Sequence, residues 1–194
     1  MKAYCINLDH RTDKWKYVQT QAPLLDLELE RFPGLMNRKS GHDGCRMSHM
    51  ALLEKLKDQD EFMIIEDDME ICTAYPIDVF NKSYSQLPAD WDMFYLGATL
   101  NEDLIRYSEN LYRLKYAWAT QAIIYNNQNG VVDYILENHN EPKFSVFLAK
   151  VIQEKFNCYI SYPMIATQHA GRSDILRKYV SYKVIMDRYK KHVG

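Results

Sequence analysis

In Phe62-Met63-Ile64-Ile65-Glu66-Asp67-Asp68, four apolar residues run directly into three carboxylates. The apolar run is short and β-branched in its second half, which suits a buried strand. The carboxylates then fall where that strand leaves its sheet. Three adjacent like charges repel, and burying them uncompensated costs on the order of several kcal/mol. A cationic group is therefore expected beside them. A divalent ion is the most economical choice, because Mg²⁺ and Mn²⁺ prefer carboxylate oxygens. A solvated acidic turn at a strand end is the other reading of the same residues.

Upstream, Gly44-Cys45-Arg46-Met47-Ser48-His49 is expected to open a helix. Cys45, His49, Leu52, Leu53 and Leu56 share one face of it. His49 on this stripe reads either as a satisfied core histidine or as a group holding the acidic loop or a phosphate. Lys57-Asp58-Gln59-Asp60 closes the helix. Before it come a polar loop from Gly34 to Gly44, a strand over 27–33, and a helix over 12–22. That helix has Thr12 or Asp13 as N-cap and Trp15, Val18 and Ala22 on one face. A first strand covers 2–8. Strand, turn and helix in that order open an α/β domain, whose ligands sit at the carboxyl ends of the strands. Asn7, Asp9 and Arg11 then project at the ligand edge, or serve only as turn and capping residues.

Downstream, a helix is expected from Pro76 to about Gln86, a turn at Pro88–Trp91, and a strand over Trp91–Gly97. Residues 98–110 read as a loop. Leu111–Trp118 and Thr120–Tyr125 read as two strands able to pair. Asn126–Asn138 fits a helix weakened by Gly130, and Phe144–Phe156 a second. A short strand over 158–162 ends at Pro163. The tail from Tyr179 to His192 forms an amphipathic basic helix, with Val180, Val184, Ile185 and Tyr189 available for docking.

With 194 residues, 47% apolar and 26% charged, the chain is long enough for one globular domain with a full core. A net charge of -2 gives no nucleic-acid footprint. No apolar stretch approaches the roughly 20 residues that span a bilayer. The first residues read as a strand rather than a signal peptide, so a cytoplasmic location is expected. Cys5, Cys45, Cys72 and Cys158 are widely spaced without Cys-x-x-Cys, which argues for reduced thiols and against a zinc site or disulfide framework. No Gly-x-x-x-x-Gly-Lys or Gly-x-Gly-x-x-Gly occurs.

Several pieces together resemble glycosyltransferase family 25, which includes bacterial lipooligosaccharide and procollagen galactosyltransferases. They are Ile6-Asn7-Leu8-Asp9-His10-Arg11 with Trp15, Gly44-Cys45-Arg46-Met47-Ser48-His49 with Leu53-Glu54-Lys55, Ile64-Ile65-Glu66-Asp67-Asp68, Asp92-Met93-Phe94-Tyr95-Leu96-Gly97, and Ser173-Asp174-Ile175. The resemblance covers most of the chain in the family's order. It implies an α/β fold of GT-A type: a single Rossmann-like nucleotide-sugar-binding domain with a mixed central sheet over 1–194, and a C-terminal helix at about 178–192 docked on it.

The resemblance further implies a metal-dependent transfer of a sugar, galactose above all, from a UDP-sugar to a glycan or glycoprotein acceptor, with inversion. Asp68 then ligates Mn²⁺ or Mg²⁺, with Glu66 or Asp67 reaching the metal or the ribose, and His169 as a candidate further ligand. Asn7, Asp9 and Arg11 line the nucleotide pocket, and Arg172 contacts the diphosphate. Inversion needs a general base. Asp92, Glu102, Asp103 and Asp174 are the candidates, and Asp174 lies in a matched motif. Tyr107, Tyr112, Tyr116 and Trp118 form an acceptor wall or ordinary packing. Ser145 stands where the family commonly carries an acid, which keeps open a silent relative that binds nucleotide sugar or glycan, or acts as an assembly partner. Peripheral membrane association and homo-oligomerisation are compatible with the sequence.

Overall fold

The computed structural model describes residues 1–193. The chain begins β1 (Lys2–Asn7), α1 (Thr12–Gln21), β2 (Glu28–Pro33), α2 (Gly41–Leu56), β3 (Glu61–Glu66), β4 (Met69–Ile71) and α3 (Pro76–Tyr84). It continues through β5 (Met93–Tyr95), β6 (Thr99–Leu100), β7 (Ile105–Arg106), β8 (Leu111–Arg113), β9 (Ala117–Trp118), β10 (Ala122–Asn126) and α4 (Val131–Asn138). One helical stretch then runs over 144–155, as α5 (Phe144–Phe147), a π-helical Leu148–Ile152 and α6 (Gln153–Lys155). β11 (Cys158–Ser161), β12 (Ala166–Gln168), β13 (Gly171–Ser173), β14 (Lys178–Val180) and α7 (Lys183–His192) complete it.

The fold is α/β with a mixed central sheet of eight strands, ordered β2-β1-β3-β10-β5-β11-β8-β7. β1 runs parallel to β2 and β3, whereas β10 is antiparallel to both β3 and β5. Helices cover both faces, so the middle of β3, Phe62–Ile65, is continuously apolar rather than alternating. Phe62 and Ile64 pack with Leu52, Leu53 and Leu56 of α2. Met63 and Ile65 pack with Val18 of α1. Met63, Ile64 and Ile65 are at most 1% exposed, each burial contributing about 1.5–3 kcal/mol.

Several expectations are corrected. Helix α2 starts at Gly41, three residues before Gly44, because the Ser40 hydroxyl accepts from the Asp43 amide and caps it there. Helix α1 follows Arg11 without a side-chain cap, so neither Thr12 nor Asp13 serves as one. Residues 98–110 carry the short strands β6 and β7. The strands expected at 111–118 and 120–125 do not pair: β8 joins β11 and β7, β9 joins β6, and β10 inserts between β3 and β5. Gly130 ends a short 3₁₀ turn at φ 75° and α4 begins after it. The C-terminal helix starts at Lys183, since residues 178–180 pair with β13 instead. Ile185 is its buried anchor, while Val184 is exposed. No helix of the described residues is long and apolar enough to cross a membrane.

Candidate functional site

Strand alternation turns Glu66 and Asp67 to opposite faces of the sheet. Glu66 ends β3 with the parity of Phe62 and Ile64, and so faces α2. Its Oε1 accepts from Thr120 Oγ1 at 2.6 Å and lies 3.0 Å from His49 Nε2. Asp67 has the opposite parity and faces α1. There Lys14 Nζ sits 3.2 Å from Asp67 Oδ1 and 3.0 Å from Asp68 Oδ2. Asn7 Nδ2 donates to Asp67 Oδ2 at 2.8 Å. Gln168 Nε2 reaches Glu66 Oε2 at 3.5 Å and Asp68 Oδ1 at 3.4 Å, so these two oxygens converge on one amide.

One lysine does not balance this charge. Burial pushes the Asp67 carboxyl up to about 6, with Asp68 adding repulsion and Lys14 and Asn7 opposing. Burial likewise raises Asp68, against the pull of Lys14 and with repulsion from Glu66. Burial would raise Glu66 too, but His49 and Thr120 hold its carboxyl below the ordinary value. Lys14 is desolvated, yet the two aspartates keep its ammonium charged.

These groups open into a cavity of about 470 Å³. Its floor is the carboxyl end of β1 and β3, through Ile6, Leu8 and the three carboxylates. Its walls are residues 34–38, the first turns of α2, and the segment from Gln168 to Tyr182. Two glycines of α2 bring the walls together. A Cβ on Gly41 would stand 2.5 Å from Ile175 Cα, and one on Gly44 2.7 Å from the Leu35 carbonyl. A second cavity of about 280 Å³ shares Cys45, Glu66, Gln168 and Tyr182 with the first, and extends to His42, Trp118, Thr120, Lys143 and Ser145. Glu66 thus lies on the boundary of the two.

The residues singled out from the sequence divide clearly. Glu66, Asp67, Asp68, Arg172 and Asp174 line the first cavity. Asn7, Asp9 and Arg11 do not, and act behind it. Asn7 is buried, orients Asp67, and accepts from Arg31 Nε at 2.8 Å. Asp9 is exposed and paired with Arg31 at 2.7 Å. Arg11 bonds Asp13, Asp174 and, at 2.9 Å, the Arg172 carbonyl, and so fastens the β13 segment to the β1–α1 turn. Asp174 is held by Arg11 and lies 3.4 Å from His10.

His169 is turned away from the carboxylates. Its ring stacks on Tyr17 at 3.9 Å and its Nδ1 lies 3.5 Å from Glu70. The alternation of an extended segment puts Gln168 on the carboxylate side and His169 on the other. Among the other acids, buried Asp92 bonds Asn129 and the Asn157 amide, Asp103 pairs with His192, and Glu102 is exposed. Tyr107 packs on Tyr159, Tyr112 on Tyr162 and Tyr116 on Trp118, and of the four Trp118 lines the second of these two cavities. Lys14, Gln168 and Thr120 are not marked by the sequence reading. Lys14 carries a faint signal, lying one turn into the helix that leaves the ligand edge.

No family model matches the sequence, and no curated protein matches it. Among solved structures the chain is similar to mannose-1-phosphate geranyltransferase from Thermus thermophilus, with a TM-score of 0.47 and 9% identity over 84% of this chain and 74% of that one. It is similar to a glycosyltransferase involved in the glycosylation of the major capsid of PBCV-1, at 0.48 and 9% over 98% and 97%. It is also similar to inositol-1-phosphate CTP transferase from T. maritima, at 0.47 and 14% over 100% and 78%. At these identities and scores the likeness carries no argument about activity, which has to come from the site.

Proposed function

We propose that the chain is a metal-dependent glycosyltransferase of GT-A type. It moves a sugar, galactose in the first instance, from a UDP-sugar to a hydroxyl of a glycan or protein-linked acceptor, with inversion. The observation that carries this reading is the convergence of Glu66 Oε2 and Asp68 Oδ1 on one point of a cavity at the carboxyl edge of β1 and β3. Ligands of open α/β sheets bind at that edge. The sequence resemblance to family 25 suggests the donor and the stereochemistry.

A divalent cation fits the residues present. Burial raises Asp67 and Asp68 above their ordinary values despite Lys14, so their charged forms have lost water that Lys14 does not fully replace. Asp68 and Glu66 would hold the ion, and the Gln168 amide, turned to present its oxygen, would add a neutral donor. His169 faces elsewhere and is not part of this set. When bound, such an ion supplies Lewis-acid neutralisation of the charge gathering on the leaving diphosphate.

The chain's own groups do the rest. Lys14 offers a fixed ammonium on the cavity floor, and Arg172 and Arg177 line its wall within reach of an anionic ligand. Asn7 orients Asp67. Arg11 and His10 occupy the oxygens of Asp174, so Asp174 acts here by holding the segment that carries Arg172 rather than as the base. The acceptor would enter the second cavity, across Glu66 and beside Trp118.

Ser145 lines that second cavity where relatives carry an acid, and this favours one other reading: a protein that binds nucleotide sugar without transferring it. Release of UDP from UDP-galactose with Mn²⁺ separates the two. A rate well above background that disappears in Asp68→Ala supports transfer chemistry. Equal rates in both proteins favour the silent reading.

A further inference from the structure

The widely spaced cysteines argue against a zinc site, yet the fold brings one of them to two other donors. Cys45 and His49 are four residues apart on α2 and share its inner face. A ligand atom from each, with a carboxylate oxygen of Glu66, lies within 4.8 Å of the other two. We propose that Cys45, His49 and Glu66 bind a borderline-soft divalent ion, Zn²⁺ or Co²⁺, at a position distinct from the oxygen site beside Asp68. The proposal does not rest on the nucleotide-sugar reading.

Donor chemistry sets the class of ion. A thiolate with an imidazole and one carboxylate oxygen suits zinc, whereas Mg²⁺ and Mn²⁺ favour oxygen alone. A tetrahedral ion with bonds of about 2.0–2.3 Å needs donors less than about 4 Å apart. His49 Nε2 and Glu66 Oε1 stand 3.0 Å apart and the thiol within 4.8 Å of both, so the pair opens by a few tenths of an ångström and the thiol closes in to hold an ion.

The two oxygens of Glu66 point to different places. Oε1 faces His49 and Thr120, and Oε2 faces the Gln168 amide, which also meets Asp68. One carboxylate can therefore serve both positions.

A second observation concerns His49 itself. The residue is 1% exposed, its ring is stacked on Phe144 at 4.6 Å, and its Nδ1 is buried without a hydrogen-bond partner. A buried ring nitrogen left unpaired is uncommon. Nε2 is the nitrogen that meets Glu66, so it is the one that would take the ion, with the ring proton then carried on Nδ1. Cys45 and Glu66 line both cavities, which leaves an open fourth position of the kind that reactive rather than purely structural zinc sites keep. On binding, the Cys45 S–H bond breaks, the sulfur electron pair goes to the ion and the proton leaves to solvent.

Full-length protein, stripped with a chelator and titrated with Co²⁺, tests this. The expected result is a thiolate-to-cobalt charge-transfer band that saturates at a single equivalent, together with the intense visible bands of a tetrahedral ion. Cys45→Ser should lose the charge-transfer band and bind Co²⁺ at least about tenfold more weakly. Wild-type protein that shows no such band at excess Co²⁺ overturns the proposal. So does Cys45→Ser that keeps the band, since the thiolate would then be another cysteine. UDP binding with Mn²⁺, measured on the same wild-type protein, is independent of this outcome and reports on the glycosyltransferase reading alone.

Discussion

Replacing Lys14 with methionine removes the ammonium between Asp67 and Asp68 while keeping most of the aliphatic stem. The two contacts, at 3.2 and 3.0 Å, have side chains only 12–17% exposed. At an effective dielectric of about 20, each is worth roughly 5 kcal/mol of gross attraction. Desolvation of the lysine cancels much of that, and removing one partner of a buried pair costs about 3–5 kcal/mol. The lower end applies, about 3 kcal/mol, because Asn7 and Gln168 remain and Asp67, already titrating at about 6, can take up a proton. For a chain of this size that lowers Tm by roughly 6–12 °C. Thermal melts in chelator at pH 7.5 and pH 5 should show the larger deficit at pH 7.5, where Asp67 is charged. Saturating Mn²⁺ at about 100 times its Kd should restore about 2.7 kcal/mol. A deficit under about 2 °C that is the same at both pH values would refute the reasoning, since Lys14 would then be an ordinary solvated pair.

Asp67 has its own pH signature. Its folded value lies above its unfolded one, so the folded state binds more protons between about 4 and 6, and stability falls as pH rises through that window. The expected span is about 3 kcal/mol at most. Burial of His42 and His139 lowers their values and gives the opposite slope, so the measurement is the difference between wild type and Asp67→Asn across pH 4–7.5. Asp67→Asn should lose the falling component, and identical slopes would contradict the assignment. Gly41→Ala drives a Cβ into the Ile175 backbone and should cost about 1–3 kcal/mol by urea titration, with weaker UDP binding because a cavity wall moves. Asp174→Asn should weaken UDP binding, as expected of a group that holds the Arg172 segment. A fall in turnover with UDP affinity intact would instead make Asp174 the base.

Much of this architecture is legible in the sequence because it is local. Phe62–Ile65 reads as a buried strand and residues 2–22 as strand, turn and helix, and both are found so. What escapes the sequence depends on long-range placement. The Ala122–Asn126 strand could pair with its neighbour in sequence, but its apolar run Ala122–Tyr125 suits the middle of the sheet, between β3 and β5. Gln168 is about one hundred residues from the carboxylates it bridges, and nothing local marks it. His169 is the more conspicuous ligand type, and a period-two alternation of one residue turns its ring to Tyr17 and Glu70 instead. The sequence reading expects a cation beside Glu66-Asp67-Asp68, and the one the structure shows there is Lys14. That lysine is one of 24 basic residues, and its neighbours in sequence give no sign of its partner. The Cys45–His49 spacing is visible as a helix face, whereas Glu66 as its third member requires the register of β3 against α2.

The most direct test is calorimetry of UDP binding to the wild type with Mn²⁺ and then with a chelator. The account expects binding that needs the metal and that Asp68→Ala abolishes. UDP that binds equally well without metal, or that does not bind with it, would contradict the central claim that these carboxylates anchor a cation and a nucleoside diphosphate.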